Sequence, residues 1–230
     1  MSRRIRFVVF DLDGTLTPII SLWRYLHDAF GTWGQGAVAA QKYKRGEISY
    51  TEWAETDAKY WTGMPLSKLR VVLERIPYYK GVETVFSVLK KQGVKTAIVS
   101  AGLSILADKI AREVGADIAV SNELGMNDGT LTGKIKVNVA LDEKAKVISE
   151  IAGKFSIPLN EVALVGDRED DLCIPECLRI AFNPKDEAAR KADFVIEDDD
   201  LSRILQIILQ SPKANRHKDA KRRYGATGKS

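Results

Sequence analysis

The stretch that decides the fold is Phe7-Val8-Val9-Phe10-Asp11-Leu12-Asp13-Gly14-Thr15-Leu16-Thr17. Its first four residues are apolar and favour β-structure, and the run stops abruptly at Asp11. This pattern predicts a strand buried on both faces, with two carboxylates at its carboxyl end. Gly14 predicts a tight turn or a close backbone approach. Paired acids at such a position indicate a bound divalent cation, which offsets their repulsion. A calcium-type acidic loop or a solvated strand end is the alternative.

The composition is that of an ordinary globular protein of 230 residues, 45% of them hydrophobic. This length suits one large domain, or a core with a small insertion. No apolar run approaches the length of a membrane span, and no signal peptide precedes the first strand. Cys173 and Cys177 are one residue too far apart for a redox pair, and no nearby histidine favours zinc. We therefore expect a cytoplasmic protein without a membrane partner.

The net charge of +4 comes from the end of the chain. Residues 211–230 hold seven basic residues and one acidic residue, so residues 1–210 carry a net charge of −2. This tail lacks the apolar residues that form a core and is predicted to be disordered. Charge runs are usually solvated, so any contact with nucleic acid or an acidic surface is expected to be weak and confined to the tail.

After the first strand, the apolar period becomes helical from Ile19 to about Arg75. Four helices are predicted there, and this insertion holds all four tryptophans of the chain. The ordinary interpretation is a small helical cap that needs large side chains to fill a thin core. The functional interpretation is that some of the rings line a pocket facing the first strand. His27 is predicted to be a packing or surface residue and not a catalytic one.

Strands and helices alternate again from Gly81 onward, which predicts a doubly wound parallel α/β sheet with helices on both faces. Asn127-Asp128-Gly129-Thr130 predicts a hairpin turn within this region. Asp11, Ser100 and Asp167 each follow a buried apolar run, and ligands of such sheets bind at the carboxyl ends of the strands. The predicted division of the chain is a core (1–17 and 78–210), a helical cap (18–77) and a basic tail (211–230).

Four separated segments carry a resemblance to a known family. Asp11-Leu12-Asp13-Gly14-Thr15 resembles the first signature of the haloacid dehalogenase superfamily, in the form found in its Mg-dependent phosphatases. Three later segments resemble the remaining motifs of that superfamily, in the same order along the chain. They are Ile98-Val99-Ser100-Ala101-Gly102, then Lys144, then Gly166-Asp167 with Asp170 and Asp171.

This resemblance implies a division of roles that agrees with the chemistry of a phosphomonoester. Asp11 is the expected nucleophile, and Asp13 the expected general acid and base. Mg²⁺ is the expected cofactor, because it neutralises the repulsion between a carboxylate and a phosphate dianion. The expected roles of the side chains are metal ligation for Asp11, Asp13 and Asp167, phosphate binding for Ser100, Ala101 and Lys144, and support of the site for Asp170 and Asp171.

Several of these residues also have a plain alternative. Lys144 taken alone is equally well a solvated helix lysine, and Ser100 an ordinary turn serine. Asp170 and Asp171 equally well cap a helix. The order of the motifs favours the functional interpretation for Lys144 and Ser100, whereas capping and support of the site stay equally open for Asp170 and Asp171.

The helical insertion and the segment Asp128-Gly129-Thr130-Leu131-Thr132-Gly133 resemble the phosphoserine phosphatase branch of the superfamily. That branch grips the substrate amine with an acidic residue soon after the first motif, where this chain has Pro18-Ile19-Ile20. It holds the substrate carboxylate with an arginine, which the third predicted cap helix, Thr51 to Tyr60, does not contain. We therefore expect phosphoserine to be a poor substrate, and a less charged or more apolar phosphate ester to be a better one.

Two further departures lie in the catalytic motifs. The second motif of the branch usually reads Ser-Gly-Gly, where this chain has Ser100-Ala101-Gly102, and the fourth usually has Gly and Asn where Arg168 and Asp170 stand. The chemistry tolerates both changes, so the expected function is Mg-dependent hydrolysis of a small phosphorylated metabolite through an aspartyl-phosphate. A phosphotransferase and a non-catalytic module that binds metal or phosphate are the alternatives. A dehalogenase is disfavoured, because that branch needs neither a metal nor a second acid such as Asp13.

Overall fold

The computed structural model describes residues 4–210 and the backbone of Arg223–Gly225. Within these residues the core is an eight-stranded sheet in the order β4-β3-β2-β1-β5-β6-β7-β8. Every neighbouring pair is parallel except the hairpin of β3 and β4. The predicted α/β fold is thereby confirmed. The strands are β1 (Phe7–Phe10), β2 (Lys95–Leu103), β3 (Ile118–Asn127), β4 (Thr130–Lys136), β5 (Val162–Gly166), β6 (Leu178–Phe182), β7 (Phe194–Glu197) and β8 (Arg223–Gly225).

Four of the nine α-helices in the described residues follow β1 directly and lie in the predicted cap. Local signals set their ends. Ser21 accepts the backbone N–H of Arg24 at the start of α1, and Ser49 forms a capping box with Glu52 at the start of α3. The helices are α1 (Leu22–Phe30), α2 (Trp33–Lys44), α3 (Tyr50–Lys59), α4 (Leu66–Leu73), α5 (Val82–Lys91), α6 (Ser104–Val114), α7 (Lys144–Lys154), α8 (Ala188–Lys191) and α9 (Ile204–Gln210).

The first strand lies at the centre of the sheet, and all four of its residues are buried. Val8 and Phe10 pack into the apolar cluster that includes α5 and α6, whereas Phe7 and Val9 pack into the cluster that includes α7. Alternate side chains of a strand point to opposite faces, so an uninterrupted apolar run is what a strand covered on both faces requires.

The carboxyl end of β1 is the topological switch point of the sheet. β1 pairs with β2 on one side and with β5 on the other, and Phe10 lies level with Ile98 and Val165. The chain therefore departs toward both edges of the sheet from this point, which leaves a crevice beyond the strand ends. Asp11 and Asp167, which follow β1 and β5, both lie at this crevice.

The hairpin of β3 and β4 turns where the sequence predicts it. Asp128 and Gly129 both have positive φ, at 47° and 74°, as a two-residue primed turn requires. The hairpin also contacts the cap, because the N–H of Gly63 donates to the carbonyl of Leu131 and the N–H of Leu66 to that of Gly129, each at 2.8 Å. A segment that the predicted division assigns to the core is thus tied to the cap.

Large rings fill the interior of the cap. Trp23 and Trp61 are buried and stack with their ring centroids 5.6 Å apart. His27 is fully buried beside Trp61, at a centroid distance of 5.0 Å, and so is a packing residue. The buried rings of the cap belong to the same apolar cluster as Val8 and Phe10 of β1, so large side chains fill the space between the cap and the sheet.

The predicted basic tail lies largely outside the described residues, which omit 211–222 and 226–230. Its described part, Arg223–Gly225, forms β8 parallel to β7, an element that the sequence did not predict. No helix in the described part of the chain is both long and apolar enough to cross a membrane.

Candidate active site

Asp11 and Lys144 meet at the carboxyl end of β1. The backbone N–H of Asp11 donates to the carbonyl of Val165 at 2.9 Å, which fixes the residue just beyond the strand. Lys144 is the first residue of α7, and its buried Nζ donates to Oδ1 of Asp11 at 3.0 Å. The fold thereby joins the first and third predicted motifs and excludes the interpretation of Lys144 as a solvated helix lysine.

A compact group of acids surrounds this pair. Carboxylate oxygens of Asp11, Asp167 and Asp171 lie within 4.8 Å of one another, and all three residues are buried. The Nζ of Lys144 also contacts Asp170 at 3.1 Å and Asp171 at hydrogen-bonding distance. One ammonium group therefore faces three carboxylates, and Asp167 adds a fourth beside them.

The acids of this group have perturbed pKa values. Burial raises the pKa of Asp11 to about 6, although the Lys144 ammonium lowers it. Burial, followed by repulsion from Asp11, raises the pKa of Asp171 to about 7 and that of Asp167 to about 8. Burial lowers the pKa of Lys144, but the carboxylates of Asp11, Asp171 and Asp170 raise it well above its ordinary value. Lys144 is therefore charged near neutral pH.

The acidic group fits a divalent cation. Its donors are carboxylate oxygens, the ligands that hard cations such as Mg²⁺ prefer. Oδ1 of Asp167 is buried without a hydrogen-bond partner among the described residues. A cation bound by Asp11, Asp167 and Asp171 would pair that oxygen and reduce the repulsion that raises the three pKa values.

Asp13 lies beside this group but not within it. Its Oδ2 accepts the N–H of Leu22 at 2.7 Å, which ties the carboxylate to the start of α1. Oδ1 is buried without a partner among the described residues. The sequence predicts Asp13 as a metal ligand and Asp171 as a supporting residue, whereas the structure places Asp171 with Asp11 and Asp167. Ligation by Asp13 stays a prediction.

Burial also changes the acidity of Asp13. It raises the pKa of this carboxyl to about 6, although the hydrogen bond from Leu22 lowers it. A carboxyl with a pKa of about 6 holds a proton in roughly one molecule in ten at pH 7, far more often than one with the ordinary value of 3.8, which suits a general acid.

Ser100, which belongs to the second predicted motif, lies close to Asp13. Its buried Oγ accepts the N–H of Gly102 at 3.0 Å. A Cβ atom at Gly102 would lie 3.1 Å from Oγ of Ser100 and 3.7 Å from Oδ2 of Asp13, so these groups border the same space. β2 continues to Leu103 and α6 begins at Ser104, so Ser100 and Ala101 lie shortly before the N-terminus of that helix.

Comparisons with known proteins agree with this geometry. The family model described as haloacid dehalogenase-like hydrolase matches residues 8–175. This chain belongs to that family. The similarity extends to curated phosphoserine phosphatases, which confirms the predicted branch. The chain is 33% identical over 210 residues to that of Archaeoglobus fulgidus, covering 90% of this chain and 61% of the relative. It is 30% identical over 209 residues to that of Idiomarina loihiensis, covering 89% and 94%.

Solved structures of the same branch superpose on this haloacid dehalogenase-like chain. A substrate-bound phosphoserine phosphatase complex matches with a TM-score of 0.77 and 27% identity, covering 89% of this chain and 99% of the other. A phosphoserine phosphatase with a phospho-aspartyl intermediate analogue matches with a TM-score of 0.75, 28% identity and the same coverage. Two of the curated relatives are longer, since this chain spans 61% and 51% of their lengths.

Two glycines of the hydrolase motifs make room for the acids. Gly14 has a φ of 81°, and a Cβ atom there would lie 2.2 Å from Oδ2 of Asp167. This confirms the close backbone approach predicted at Gly14. A Cβ atom at Gly166 would lie 2.1 Å from Cβ of Asp171. The acids converge only because these two positions lack side chains.

Three residues without a predicted role in the site hold the second motif of this hydrolase in place. Trp23 Nε1 and Asn122 Nδ2 lie 3.1 and 2.9 Å from the carbonyl oxygen of Ala101, and the Tyr50 hydroxyl also donates to it. The buried Asn122 also accepts the N–H of Val139 at 2.9 Å, on the segment that leads to Lys144. The sequence pattern could have identified Asn122, because this residue comes after an apolar strand run, as Asp11 and Ser100 do.

Proposed function

We propose that this haloacid dehalogenase-like hydrolase is a Mg²⁺-dependent phosphatase of small phosphomonoesters that works through an aspartyl-phosphate on Asp11. The observation that carries the proposal is the arrangement of Asp11 at the central strand end. Lys144 contacts one of its oxygens at 3.0 Å, and Asp167 and Asp171 lie within 4.8 Å. The positive charge of Lys144 beside the Asp11 carboxylate reduces the repulsion between that carboxylate and an incoming phosphate dianion.

Asp11 is the proposed nucleophile. One of its oxygens forms a bond to phosphorus as the bond from phosphorus to the alcohol oxygen breaks. Asp13 is the proposed proton donor, because its raised pKa of about 6 leaves it partly protonated and its carboxylate borders the space of Ser100. It gives its proton to the departing alcohol oxygen, then takes one from the water that hydrolyses the aspartyl-phosphate.

Ser100, the Ala101 amide and Lys144 are the proposed phosphate-binding groups. The Ser100 hydroxyl accepts the N–H of Gly102, so its own proton is available to a phosphate oxygen. Three hydrogen bonds to the Ala101 carbonyl fix the orientation of the adjacent backbone. A fixed donor stabilises developing charge without having to reorient during the reaction.

Mg²⁺ is the proposed cofactor, and Asp11, Asp167 and Asp171 are the side chains that would hold it, with Asp13 as the further predicted ligand. When bound, the cation supplies charge neutralisation between the nucleophile and the phosphate. Nucleophilic attack, proton transfer and phosphate binding are assigned to residues of the chain. The proposed partner is a small phosphorylated metabolite, and the predicted cytoplasmic location stays a prediction.

The proposal is tested by trapping the intermediate. Purified protein with Mg²⁺ and p-nitrophenyl phosphate is quenched in acid, digested and examined by mass spectrometry. We expect a phosphoryl group on the peptide that contains Asp11, and none in the Asp11→Asn variant. A protein that hydrolyses the ester without modification of this peptide during turnover would exclude the covalent route. A protein that hydrolyses no phosphomonoester would exclude the proposed function.

A further inference from the structure

Strand β2 leaves its regular pairing with β3 at the proposed phosphate-binding loop. Val99 lies level with Val120 of β3, and Leu103 lies level with Asn122. The three β2 residues 100–102 therefore lie opposite a single residue of β3, so the loop bulges out of the ladder. Backbone groups in such a bulge lose their partners in the sheet, and a buried one must be paired by another group.

The side chain of Asn122 supplies such a partner from the neighbouring strand. It is fully buried, and its Nδ2 donates to the carbonyl of Ala101 at 2.9 Å and to that of Val139 at 3.0 Å. Its Oδ1 accepts the N–H of Asn138 at 2.8 Å and that of Val139 at 2.9 Å. Both hydrogens of the amide nitrogen and both lone pairs of the oxygen are thereby used. One side chain thus joins the phosphate-binding loop to the chain segment before α7.

The hydrogen bond to Ala101 reaches the Ser100 hydroxyl through one peptide group. The carbonyl of Ala101 and the N–H of Gly102 belong to the same planar unit, so an orientation imposed on one of them fixes the other. That N–H donates to Oγ of Ser100 at 3.0 Å. The hydroxyl proton proposed to bind phosphate is therefore oriented by a peptide group that Asn122 holds.

The hydrogen bonds to Val139 act on the second phosphate-binding side chain. Val139 is fully buried in the apolar cluster that includes Ile148 of α7. Lys144 begins α7 shortly after this residue, and its Nζ donates to Oδ1 of Asp11 at 3.0 Å. The position of Lys144 therefore depends on apolar packing and on the amide of Asn122 together.

We propose that Asn122 is a positioning residue for phosphate binding, which holds the Ser100 hydroxyl and the Lys144 ammonium at a fixed separation. This inference rests on the proposed phosphatase function and adds a residue to which the sequence assigns no role in the site. The side chain of Asn122 acts indirectly, through the backbone groups of Ala101 and Val139. Donors that are fixed before the substrate arrives stabilise a phosphate oxygen without having to reorient.

The rival interpretation is that Asn122 only pairs buried backbone groups and has no effect on the site. Trp23 and Tyr50 also donate to the Ala101 carbonyl, so this group keeps partners when the amide is removed. These two donors come from the cap, whereas Asn122 comes from β3 and bonds to Val139 as well. The two interpretations differ in whether phosphate binding weakens when the amide is lost.

The test measures the binding of inorganic phosphate to the Mg²⁺-loaded protein by isothermal titration calorimetry. We expect Asn122→Ala to raise Kd by about tenfold or more, the scale of one lost hydrogen bond to a charged group. Asn138→Ala is the matched control, because its side-chain amide donates to Ser121 and Glu123 of the same strand. The Kd of this control should equal that of the unmodified protein.

A double-variant cycle shows whether Asn122 acts through Ser100. If the two residues acted independently, the factors by which Ser100→Ala and Asn122→Ala raise Kd would multiply. We expect the double variant to bind phosphate at least about threefold more tightly than that product, because Asn122 has less to position once the hydroxyl is gone. Asn122→Ser, which keeps a smaller polar group at this site, is the second variant and should also raise Kd.

Calorimetry reports Kd for the molecules that bind, because a smaller folded fraction lowers the apparent stoichiometry instead. An unchanged Kd in both Asn122 variants would overturn the inference, and so would factors that simply multiply in the double variant. In either case, hydrolysis of p-nitrophenyl phosphate by the unmodified protein would leave the proposed function standing. An unmodified protein that hydrolyses no phosphomonoester would overturn both.

Discussion

Gly14 packs directly against Asp167, so that a Cβ atom at Gly14 would lie 2.2 Å from Oδ2 of that residue. The two residues follow different strands, β1 and β5, which the sheet pairs side by side. The positive φ of 81° at Gly14 turns the chain back after Asp13 and brings the backbone into contact with the Asp167 carboxylate. Asp167 therefore occupies its position only because Gly14 has no side chain.

The first prediction is that Gly14→Ala lowers kcat/KM by about 100-fold, because the added methyl group displaces Asp167 and small displacements in a catalytic site have effects of this size. The control is Gly93→Ala, which has a similar φ of 69° but no atom within 4 Å of the new Cβ. It should lose stability yet keep the original kcat/KM. Equal activity of the two variants would show that the contact is unimportant.

The second prediction is that Asp11→Asn lowers turnover by at least about 1,000-fold, because an amide does not form an acyl phosphate. Steady-state hydrolysis of p-nitrophenyl phosphate measures this loss. Asp128→Asn, a change at the exposed hairpin turn, serves as the control and should be fully active. Turnover by Asp11→Asn at near the original rate would remove Asp11 from the role of nucleophile.

The third prediction concerns metal removal. EDTA should abolish activity, and restored Mg²⁺ should recover it. Mg²⁺ should also raise the Tm of the metal-free protein, because a ligand that binds only the folded state stabilises it. Asp171→Asn should reduce this Tm shift more than Asp13→Asn does, because Asp171 lies in the acidic group and Asp13 outside it. The reverse order would favour the ligand set predicted from the sequence, and full activity after thorough chelation would exclude a metal site.

The fourth prediction is that the metal-free protein becomes less stable as the pH rises. The ordinary pKa of these carboxyls is 3.8, and the folded values are about 6 for Asp11 and Asp13, 7 for Asp171 and 8 for Asp167. Between these limits the folded state binds more protons than the unfolded state, so the free energy of unfolding falls with increasing pH. The loss is spread over roughly pH 4 to 8.

Thermal unfolding in EDTA across this range measures the effect. We expect Tm to fall by at least about 3 °C, the shift that 1 kcal/mol produces in a domain of this size. Saturating Mg²⁺ should reduce the fall, because the cation favours the ionised carboxylates. A Tm that rises with pH in EDTA would contradict the burial of these acids.

The fifth prediction is that phosphoserine has a lower kcat/KM than a phosphate ester with an apolar body, such as phenyl phosphate. The branch holds the substrate carboxylate with an arginine, and α3 (Tyr50–Lys59) contains none. Ile20, in the segment where the branch carries its acidic residue, is 72% exposed and offers no charge. An unpaired polar group costs about 1–3 kcal/mol, so we expect a ratio of roughly tenfold or more. Phosphoserine as the better substrate by a wide margin would refute this account of the cap.

The sequence alone was sufficient to predict the central strand, the α/β sheet, the four cap helices and the hairpin turn. These features follow from local signals: an apolar run that ends at Asp11, a helical apolar period, the capping residue Ser49, and the Asp128-Gly129 turn. It also identified the residues that meet at the strand ends, because parallel strands bring their carboxyl ends to the same edge of a sheet. Periodicity and turn chemistry act over a few residues and can be read without coordinates.

The tertiary structure alone decided which acids face one another and what covers them. Asp171 joins Asp11 because the turn after β5 folds back over Gly166, whereas the N–H of Leu22 ties Asp13 to the cap. His27 of α1 meets Asp57 of α3, with Nε2 3.2 Å from Oδ2, only because the cap helices pack together. Such relationships depend on contacts between residues far apart in the chain, where sub-ångström packing selects one partner over another, and no local pattern encodes that choice.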